Sequence, residues 1–349
     1  MNTLACIDLF CGAGGLTHGF VKEGLPVVAG IDLDPACRYP YEANNNAKFI
    51  EADVSTVKPK DLLALYQDAG IKILAGCAPC QPFSTYAQRY EEKRDGKWGL
   101  LYEFARLAKG AKPDVITMEN VPKLIRHEVF LDFVATLERQ GYQVWFKVVD
   151  SASYGVPQTR KRLVMLASLY GEVSLEEPTH PVPKTVRQAL GRLAPLEAGE
   201  ASKRDPLHVA ATLTPLNLKR MKASRPGGTW RDWPKHLVAD CHKTERGRTF
   251  PSVYGRMEWD KPAPTMTTQC YGFGNGRFGH PDQSQNRAIS LREAAIIQSF
   301  PRDYKFVKNR EDVNFRVLGR LIGNAVPVGL GRAIARSIRQ HLVEVGLVD

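Results

Sequence analysis

Short apolar runs recur along the first part of the chain. Six runs are rich in valine, isoleucine and leucine and lack polar alternation: Leu4–Leu9, Val27–Ile31, Ile71–Ala75, Val115–Met118, Val144–Val149 and Leu163–Ala167. Strands buried on both faces carry this pattern. Between them, Lys60–Ala69, Gly99–Lys109 and Val129–Gln140 space their apolar residues as helices do. The alternation predicts an α/β fold with a mostly parallel, doubly wound sheet.

The pattern changes near Pro178. Residues 178–285 are rich in proline, glycine, arginine and aromatic residues and show little periodicity, which predicts a smaller, loop-rich domain with short strands. Order returns at Ser290–Glu293, a capping box that predicts a helix through Ile297. A last amphipathic helix is predicted from a four-residue spacing of Leu330, Ile334, Ile338 and Leu342. The predicted division is 1–180, 181–280 and 281–349, with the last segment completing the first domain.

The charge is concentrated in the middle of the sequence. Of a net charge of +11, residues 180–280 supply +9, from 17 Lys+Arg against 8 Asp+Glu. The same stretch holds Trp230, Trp233 and Trp259, and basic residues interleaved with aromatic ones suit a polyanion. A solvated basic surface is the alternative interpretation of the charge.

The seven cysteines are scattered and odd in number, which favours a reducing compartment over a disulfide framework. No apolar window is long enough to span a membrane, and no basic region precedes the first apolar run. These features predict a cytoplasmic protein that does not enter a membrane. We expect it to be a monomer.

A glycine-rich turn follows the first strand, in the segment Asp8–Leu16. Glycines at such a turn let the backbone approach a nucleotide-like cofactor and open a helix N-terminus toward it. Asp32 ends the second strand, where a carboxylate suits ribose hydroxyls, and Asp53 suits an adenine amino group. Dinucleotide oxidoreductases use a similar turn, and either aspartate alone could be a helix cap.

Cys80 lies in Gly76–Ser84, directly after the third predicted strand. Open α/β sheets bind ligands at this edge, so Cys80 is a candidate nucleophile. Cys77 fits a buried structural thiol better, although the two cysteines together also match a redox pair or half a zinc site. Because no second pair of this spacing exists, no metal site is predicted.

Two further polar groups lie at strand ends. Glu119-Asn120-Val121 ends the fourth strand, and Gln158, Arg160 and Arg162 alternate just before the sixth run. Alternation along an extended chain puts these three side chains on one side. The alternative for the arginines is an exposed strand end.

With these blocks in this order, the sequence resembles the cytosine-5 DNA methyltransferase family of the bacterial restriction-modification type. The matching blocks are Asp8–Gly15, Asp32–Asp34, Gly76–Ser84, Glu119–Val121, Gln158–Arg162 and Gly323–Pro327. The resemblance implies a Rossmann-like methyltransferase sheet and S-adenosyl-L-methionine as cofactor. Residues 185–280 would form a target-recognition domain.

The resemblance also implies residue roles. Cys80 would be the nucleophile, Glu119 would contact the ring nitrogen and amine of cytosine, Arg162 its carbonyl, and Arg160 would support the catalytic segment. The implied cofactor residues are Asp8, Phe10, Gly12, Gly14, Asp32, Leu33, Asp53, Pro79, Leu100, Asn324 and Val326. Thr265 would grip a phosphate, and the unranked candidates for guanine contacts are Arg225, Arg231, Arg246, Arg248 and Arg277.

The chain departs from the family pattern at two positions. Pro40 falls inside the helix expected after Asp34, so that helix should be short or kinked. Leu33 stands where the family often has an aromatic residue, so adenine would pack on an aliphatic side chain.

The expected activity is methyl transfer from S-adenosyl-L-methionine to carbon 5 of a flipped-out cytosine in a specific double-stranded DNA sequence. The reaction would pass through a covalent Cys80 adduct at carbon 6. In a prokaryote the protein would act at the nucleoid, with a cognate restriction endonuclease as candidate partner. The alternatives are a transfer-RNA cytosine-5 methyltransferase, a catalytically silent DNA-binding homologue and a nicotinamide oxidoreductase.

Overall fold

The computed structural model describes residues 2–79 and 99–349. Its contacts divide the chain into two compact units. The first unit comprises Met1–Tyr154, Lys161–Thr179 and Val326–Asp349, and the second unit comprises Gly155–Arg160 and His180–Ala325.

The first unit contains one twisted sheet. In the described residues its strands are β1 (Leu4–Leu9), β2 (Val27–Asp32), β3 (Lys48–Glu51), β4 (Ile71–Gly76), β5 (Val115–Asn120), β6 (Gln143–Asp150) and β7 (Lys161–Ser168), in the order β3-β2-β1-β4-β5-β7-β6. Strands β1 to β5 pair in parallel, whereas β7 runs antiparallel to both β5 and β6. All six predicted runs are strands, so the predicted α/β fold with a mostly parallel sheet is confirmed.

Both units contain helices. The first unit has α1 (Gly15–Lys22), α2 (Arg38–Asn45), α3 (Pro59–Tyr66), α4 (Gly99–Ala111), α5 (Glu128–Glu138) and α12 (Val328–Glu344). The second has α6 (Val186–Leu190), α7 (Pro215–Ala223), α8 (Asp240–Lys243), α9 (Glu245–Arg248), α10 (Leu291–Ile297) and α11 (Phe315–Asn324). Pro40 stands in the first turn of α2, where no intrahelical N–H is needed, and α2 is short as expected. In the described residues, no helix is both long and apolar enough to cross a membrane.

The main core fills one face of the sheet. Ile7, Leu74 and Ile116 from neighbouring strands pack with the aromatic side chains of α4 and α5. Phe104 and Phe133 lie there with ring centroids 5.3 Å apart. Burial of these strands explains why their sequences carry no polar alternation.

The second unit is rich in loops. Between residues 180 and 325 its described backbone pairs through isolated bridges, such as Pro226 with Arg256, and not through extended strands. Trp230 and Trp233 are buried in its small core with Phe273. Two of the three tryptophans in the basic stretch therefore stabilise the fold from inside.

The predicted capping box is present at α10. Ser290 Oγ accepts a hydrogen bond from Glu293 N at 3.1 Å, and Glu293 Oε2 accepts one from Ser290 N at 2.7 Å. The contact-based division groups α10 and α11 with the second unit and only Val326–Asp349 with the first. The functional division at residues 180 and 280 remains a prediction.

Helices α1 and α12 meet through glycine. A Cβ atom added at Gly19 would lie 2.6 Å from the backbone carbon of Gly331 and 2.7 Å from the nitrogen of Arg332. Only glycine permits this approach, which holds the helix after the glycine turn against the C-terminal helix.

We expect Gly19→Ala to lower the free energy of unfolding by about 2 kcal/mol, because backbone atoms must move apart. This outweighs the roughly 1 kcal/mol that alanine gains over glycine inside a helix. Gly99→Ala is the control, since a Cβ there meets no atom within 4 Å in the part of the chain that the structure describes. Chemical denaturation of the two variants measures the difference, and equal stabilities would contradict the close packing.

Candidate active site

The strand order reverses beside β1. Strands β2 and β3 lie on one side of β1, and the chain then crosses over to place β4 on the other side. Open α/β sheets bind ligands at the carboxyl edge of such a switch point. The segments that follow β1 and β4 also touch, through a hydrogen bond from Cys77 N to Leu9 O of 3.3 Å.

The turn after β1 has an unusual backbone. Phe10, Gly12 and Gly14 have φ of 58°, 53° and 86°. Left-handed conformations favour glycine, and a non-glycine residue there marks local strain of the kind that clusters at functional sites. A Cβ added at Gly12 would meet no atom of the described residues within 4 Å, so that part of the chain leaves open space beside this backbone.

The carboxylate of Asp32 faces the turn. Its Oδ2 accepts a hydrogen bond from Gly12 N and its Oδ1 accepts one from Asp34 N, each at 2.9 Å. Partial burial raises the pKa of Asp32, and the two backbone amides oppose that rise. The neighbouring Leu33 is 64% exposed, so a large apolar side chain stands in solvent next to an oriented carboxylate.

Asp8, Thr17 and Tyr41 form a buried hydrogen-bond network next to the turn. Thr17 Oγ1 on α1 donates to Asp8 Oδ2 at 2.7 Å and lies 3.1 Å from Tyr41 Oη on α2. Burial raises the pKa of Asp8 to about 7, against the hydrogen bond from Thr17 and together with the nearby charge of Asp32. Asp8 therefore fixes α1 and α2 beneath the turn.

Asp53 caps a turn. Its Oδ1 accepts hydrogen bonds from Ser55 N at 2.9 Å and Ser55 Oγ at 2.7 Å, and these bonds lower the pKa of Asp53. Oδ1 of Asp53 therefore acts as a cap, as the alternative interpretation expected. Its contact with adenine remains a prediction.

Glu119 is the buried acid at the end of β5. It is 3% exposed, and its Oε1 lies 3.0 Å from Nε of Arg162, at the start of β7. That ion pair lacks the alignment of a hydrogen bond. On the other side, Cys77 Sγ donates to Oε2 at 3.1 Å. Neighbouring strands thus bring a carboxylate, a guanidinium and a thiol together at one edge of the sheet.

Asn120 ties the same strand end to the chain that leads toward Cys80. Its Nδ2 donates to the carbonyl of Ala78 at 3.0 Å, and its Oδ1 accepts from Val121 N at 2.8 Å. Cys80 itself lies outside the described residues.

In the second unit, Gln158 and Arg160 are buried. Gln158 Oε1 accepts from Met266 N at 2.9 Å, and Arg160 donates to the carbonyls of Met266 at 2.8 Å and Gly323 at 3.0 Å. The alternative of an exposed strand end is therefore wrong for Arg160, because its guanidinium is buried and donates hydrogen bonds to backbone carbonyls. Arg162 also contradicts it, with 13% of its side chain exposed.

The other predicted cofactor and phosphate residues have mixed environments. Pro79, Asn324 and Thr265 are exposed, Leu100 is half-buried and Val326 is buried. Thr265 Oγ1 donates to the carbonyl of Thr159 at 2.6 Å. Asn324 belongs to the second unit and Val326 to the first.

The structure separates the candidate arginines by their contacts. Arg231 donates to Arg248 O at 2.8 Å, Arg277 donates to Gly228 O at 2.7 Å, and Arg225 pairs with Asp232 at 3.4 Å. The side chains of Arg246 and Arg248, in α9, are exposed.

Comparison with known proteins identifies the family. The model of the C-5 cytosine-specific DNA methylase family matches residues 4–340. The chain belongs to this family. The methylase is 52% identical over 343 residues to Type II methylase M.HgiDII of Herpetosiphon aurantiacus, covering 97% of this chain and 96% of the relative. It is 32% identical to Type II methyltransferase M1.HphI of Haemophilus parahaemolyticus, covering 96% of this chain and 87% of the relative.

Solved structures share the fold of this methylase. A prophage-encoded protein of E. coli, described as a DNA modification methyltransferase, matches with a TM-score of 0.75 and 20% identity, covering 98% and 100% of the two chains. S. pombe Dnmt2 methyltransferase matches with a TM-score of 0.65 and 18% identity, covering 98% and 99%. The protein is a DNA (cytosine-5)-methyltransferase, and the nicotinamide oxidoreductase alternative is wrong.

Two contacts of this site could not be predicted from the sequence. Cys77 was expected to be a structural thiol, but its Sγ donates to Glu119. The spacing of Cys77 and Cys80 indicates a cysteine pair and gives no sign of a carboxylate partner from another strand. The hydrogen bond from Thr17 to Asp8 depends on how α1 packs, which no local pattern indicates.

The pH dependence of stability tests the Asp8 environment. Between the ordinary pKa of an aspartate and about 7, the folded protein keeps a proton that the unfolded chain releases. This group therefore makes the protein less stable as pH rises through that window. In Asp8→Asn the contribution disappears, so thermal midpoints between pH 5 and 8 should fall less than in the wild type.

Asp53→Asn is the matched control. The pKa of Asp53 is lowered, so its contribution is lost only on acidification and should not alter the slope between pH 5 and 8. Parallel slopes for Asp8→Asn and the wild type would contradict a buried, protonated Asp8.

Proposed function

We propose that this methylase transfers a methyl group from S-adenosyl-L-methionine to carbon 5 of a flipped-out cytosine in a specific duplex sequence. A covalent adduct between Cys80 and carbon 6 would carry the reaction. The observation that supports this most is the buried Glu119, held at the sheet edge by Arg162 and Cys77. Cys77 lies three residues before Cys80 in the sequence.

The turn after β1 suits the proposed cofactor. Residues 2–79 and 99–349 leave open space beside Gly12, where a ligand could reach the backbone, and the fixed carboxylate of Asp32 suits the two hydroxyls of a ribose. The exposed side chain of Leu33 offers an apolar surface to an adenine ring. The bound cofactor supplies an electrophilic methyl group, and Phe10, Gly14 and Asp53 belong to the same proposed site.

The proposed chemistry begins at Cys80. Carbon 5 of cytosine is a weak nucleophile, and addition of the Cys80 thiolate to carbon 6 moves electron density onto it. Glu119, donating a hydrogen bond or its proton to the ring nitrogen, would stabilise the negative charge that accumulates there as the sulfur adds. Carbon 5 then takes the methyl group, a base removes its proton, and the bond between sulfur and carbon 6 breaks.

Arg162 has two roles in this proposal. Its Nε lies 3.0 Å from Glu119 Oε1 and holds one side of that carboxyl, while its remaining donors suit the carbonyl of the cytosine ring. Arg160 would support the catalytic segment from its own buried position among carbonyl groups.

The base must leave the helix, because its neighbours cover both faces of the ring inside a duplex. The basic second unit would bind the surrounding DNA, with Thr265 near a phosphate. Of the arginines, we propose Arg246 and Arg248 for DNA contact, since Arg225, Arg231 and Arg277 already bind other parts of the chain.

The relatives' names place them in Type II systems. We infer that this methylase is the modification enzyme of such a restriction-modification system, acting as a monomer on chromosomal DNA in the cytoplasm. A cognate restriction endonuclease is the partner expected from that role.

Cys80→Ser should reduce methyl transfer to duplex DNA by at least about a thousandfold, because a serine hydroxyl is a far weaker nucleophile than a thiolate. Transfer of a labelled methyl group from S-adenosyl-L-methionine measures this, and bisulfite sequencing of the product locates the base. Calorimetry should show cofactor affinity within about threefold of wild type. Comparable turnover by the variant, or label in transfer RNA instead of duplex DNA, would refute the proposal.

Arg246→Ala should weaken DNA binding about tenfold and reduce its salt dependence, because a contact with the nucleic acid is lost. Arg192→Ala is the control: it removes one exposed positive charge elsewhere in the second unit. Fluorescence anisotropy at several salt concentrations compares the two. If both variants bind equally well, α9 does not contact DNA.

A further inference from the structure

The pairing of β4 with β5 continues beyond the end of the backbone ladder. The last paired residues are Gly76 and Met118. At the next two steps side chains replace backbone bonds: Cys77 Sγ donates to Glu119 Oε2 at 3.1 Å, and Asn120 Nδ2 donates to Ala78 O at 3.0 Å. The acid of the site and the chain leading to Cys80 are thereby joined directly.

The carboxyl of Glu119 is held from two sides. Arg162 approaches Oε1 from β7, and the Cys77 thiol occupies Oε2 from the segment after β4. The terminal torsion of a glutamate is broad, so one contact leaves the carboxyl able to turn. The Arg162 contact also lacks hydrogen-bond alignment, which leaves the thiol as the aligned side-chain donor among the described residues.

We propose that Cys77 is a positioning residue for Glu119 in the methyl-transfer reaction. This inference rests on the proposed function. The thiol fixes the plane of the carboxyl, so that Glu119 meets the ring nitrogen of cytosine without first reorienting. Cys77 does not act on the base; it acts through Glu119.

The small thiol suits this position. Cys77 is half-buried and Glu119 is 3% exposed, so the donor must reach the carboxyl over a short distance. A buried carboxylate oxygen that loses its donor is costly to leave unpaired. Removal of the thiol should therefore disturb Glu119 more than it disturbs the surrounding fold.

The test compares Cys77→Ala with Cys77→Ser. Alanine removes the donor, and serine keeps an O–H in its place. We expect Cys77→Ala to lower kcat about tenfold while KM for DNA stays within about twofold, and Cys77→Ser to recover most of the loss. A Cys77→Ala enzyme with wild-type kcat, or a serine variant no better than alanine, would overturn the inference.

An infrared readout separates positioning from a general structural defect. A thiol that donates to a carboxylate has its S–H stretching band at a lower frequency than an unbonded thiol. The Cys77→Ala difference spectrum should show this band lost, and Glu119→Gln should shift it. Cys241→Ser, which removes an exposed thiol of the second unit, should leave it in place. An unchanged band in Glu119→Gln would show that Cys77 does not bind Glu119.

The two proposals fail in different ways. If the wild type does not methylate duplex DNA, the proposed function is wrong and the positioning role of Cys77 is overturned with it. If the wild type methylates DNA and Cys77→Ala does so equally well, only the positioning role is wrong.

Discussion

Parallel pairing of β4 with β1 on one side and β5 on the other brings three strand ends to the same edge of the sheet. That pairing sets the glycine turn after β1 beside the segment after β4, and it sets Glu119 beside Cys77. The residues come from distant parts of the sequence, and none could meet without the shared register. Burial of the strands between layers of helices holds the register in place.

Periodicity and turn chemistry were enough to predict the main strands and the helices α3 to α5, α10 and α12. The exception was β3, a four-residue strand at the edge of the sheet with Lys48 and Glu51 exposed at its ends. Such a segment carries no apolar run, so its pairing depends on tertiary context. The grouping of α10 and α11 likewise depends on contacts that no local pattern encodes.

The site could be predicted in its residue types but not in its contacts. The sequence placed Glu119 at a strand end, yet the position of Arg162 against one oxygen and of Cys77 against the other needed the sheet order. Asp32 was expected to face a ligand, and its orientation by two backbone amides became visible only with the turn in place.

The number of basic residues in the second unit overstates the positive charge on its surface, because some of its arginines are buried. Arg256 is 1% exposed and donates to the carbonyls of Ser224, His280 and Met221, among others. Burial lowers the pKa of Arg256 to about 10. The loops of the second unit have few backbone hydrogen bonds between strands, and a buried arginine such as Arg256 connects them through its side-chain donors. Part of the basic surplus therefore serves the fold, whereas the arginines of α9 are exposed.

The central claim is that Cys80 and Glu119 meet the same cytosine ring. The most direct measurement is a crystal structure of the protein with cofactor and duplex DNA carrying 5-fluorocytosine at the target, where fluorine cannot leave as a proton does. We expect a bond from Cys80 Sγ to carbon 6 of the flipped base, with the Glu119 carboxyl within hydrogen-bond distance of the ring nitrogen. A bond from another cysteine, or Glu119 turned away from the base, would contradict it.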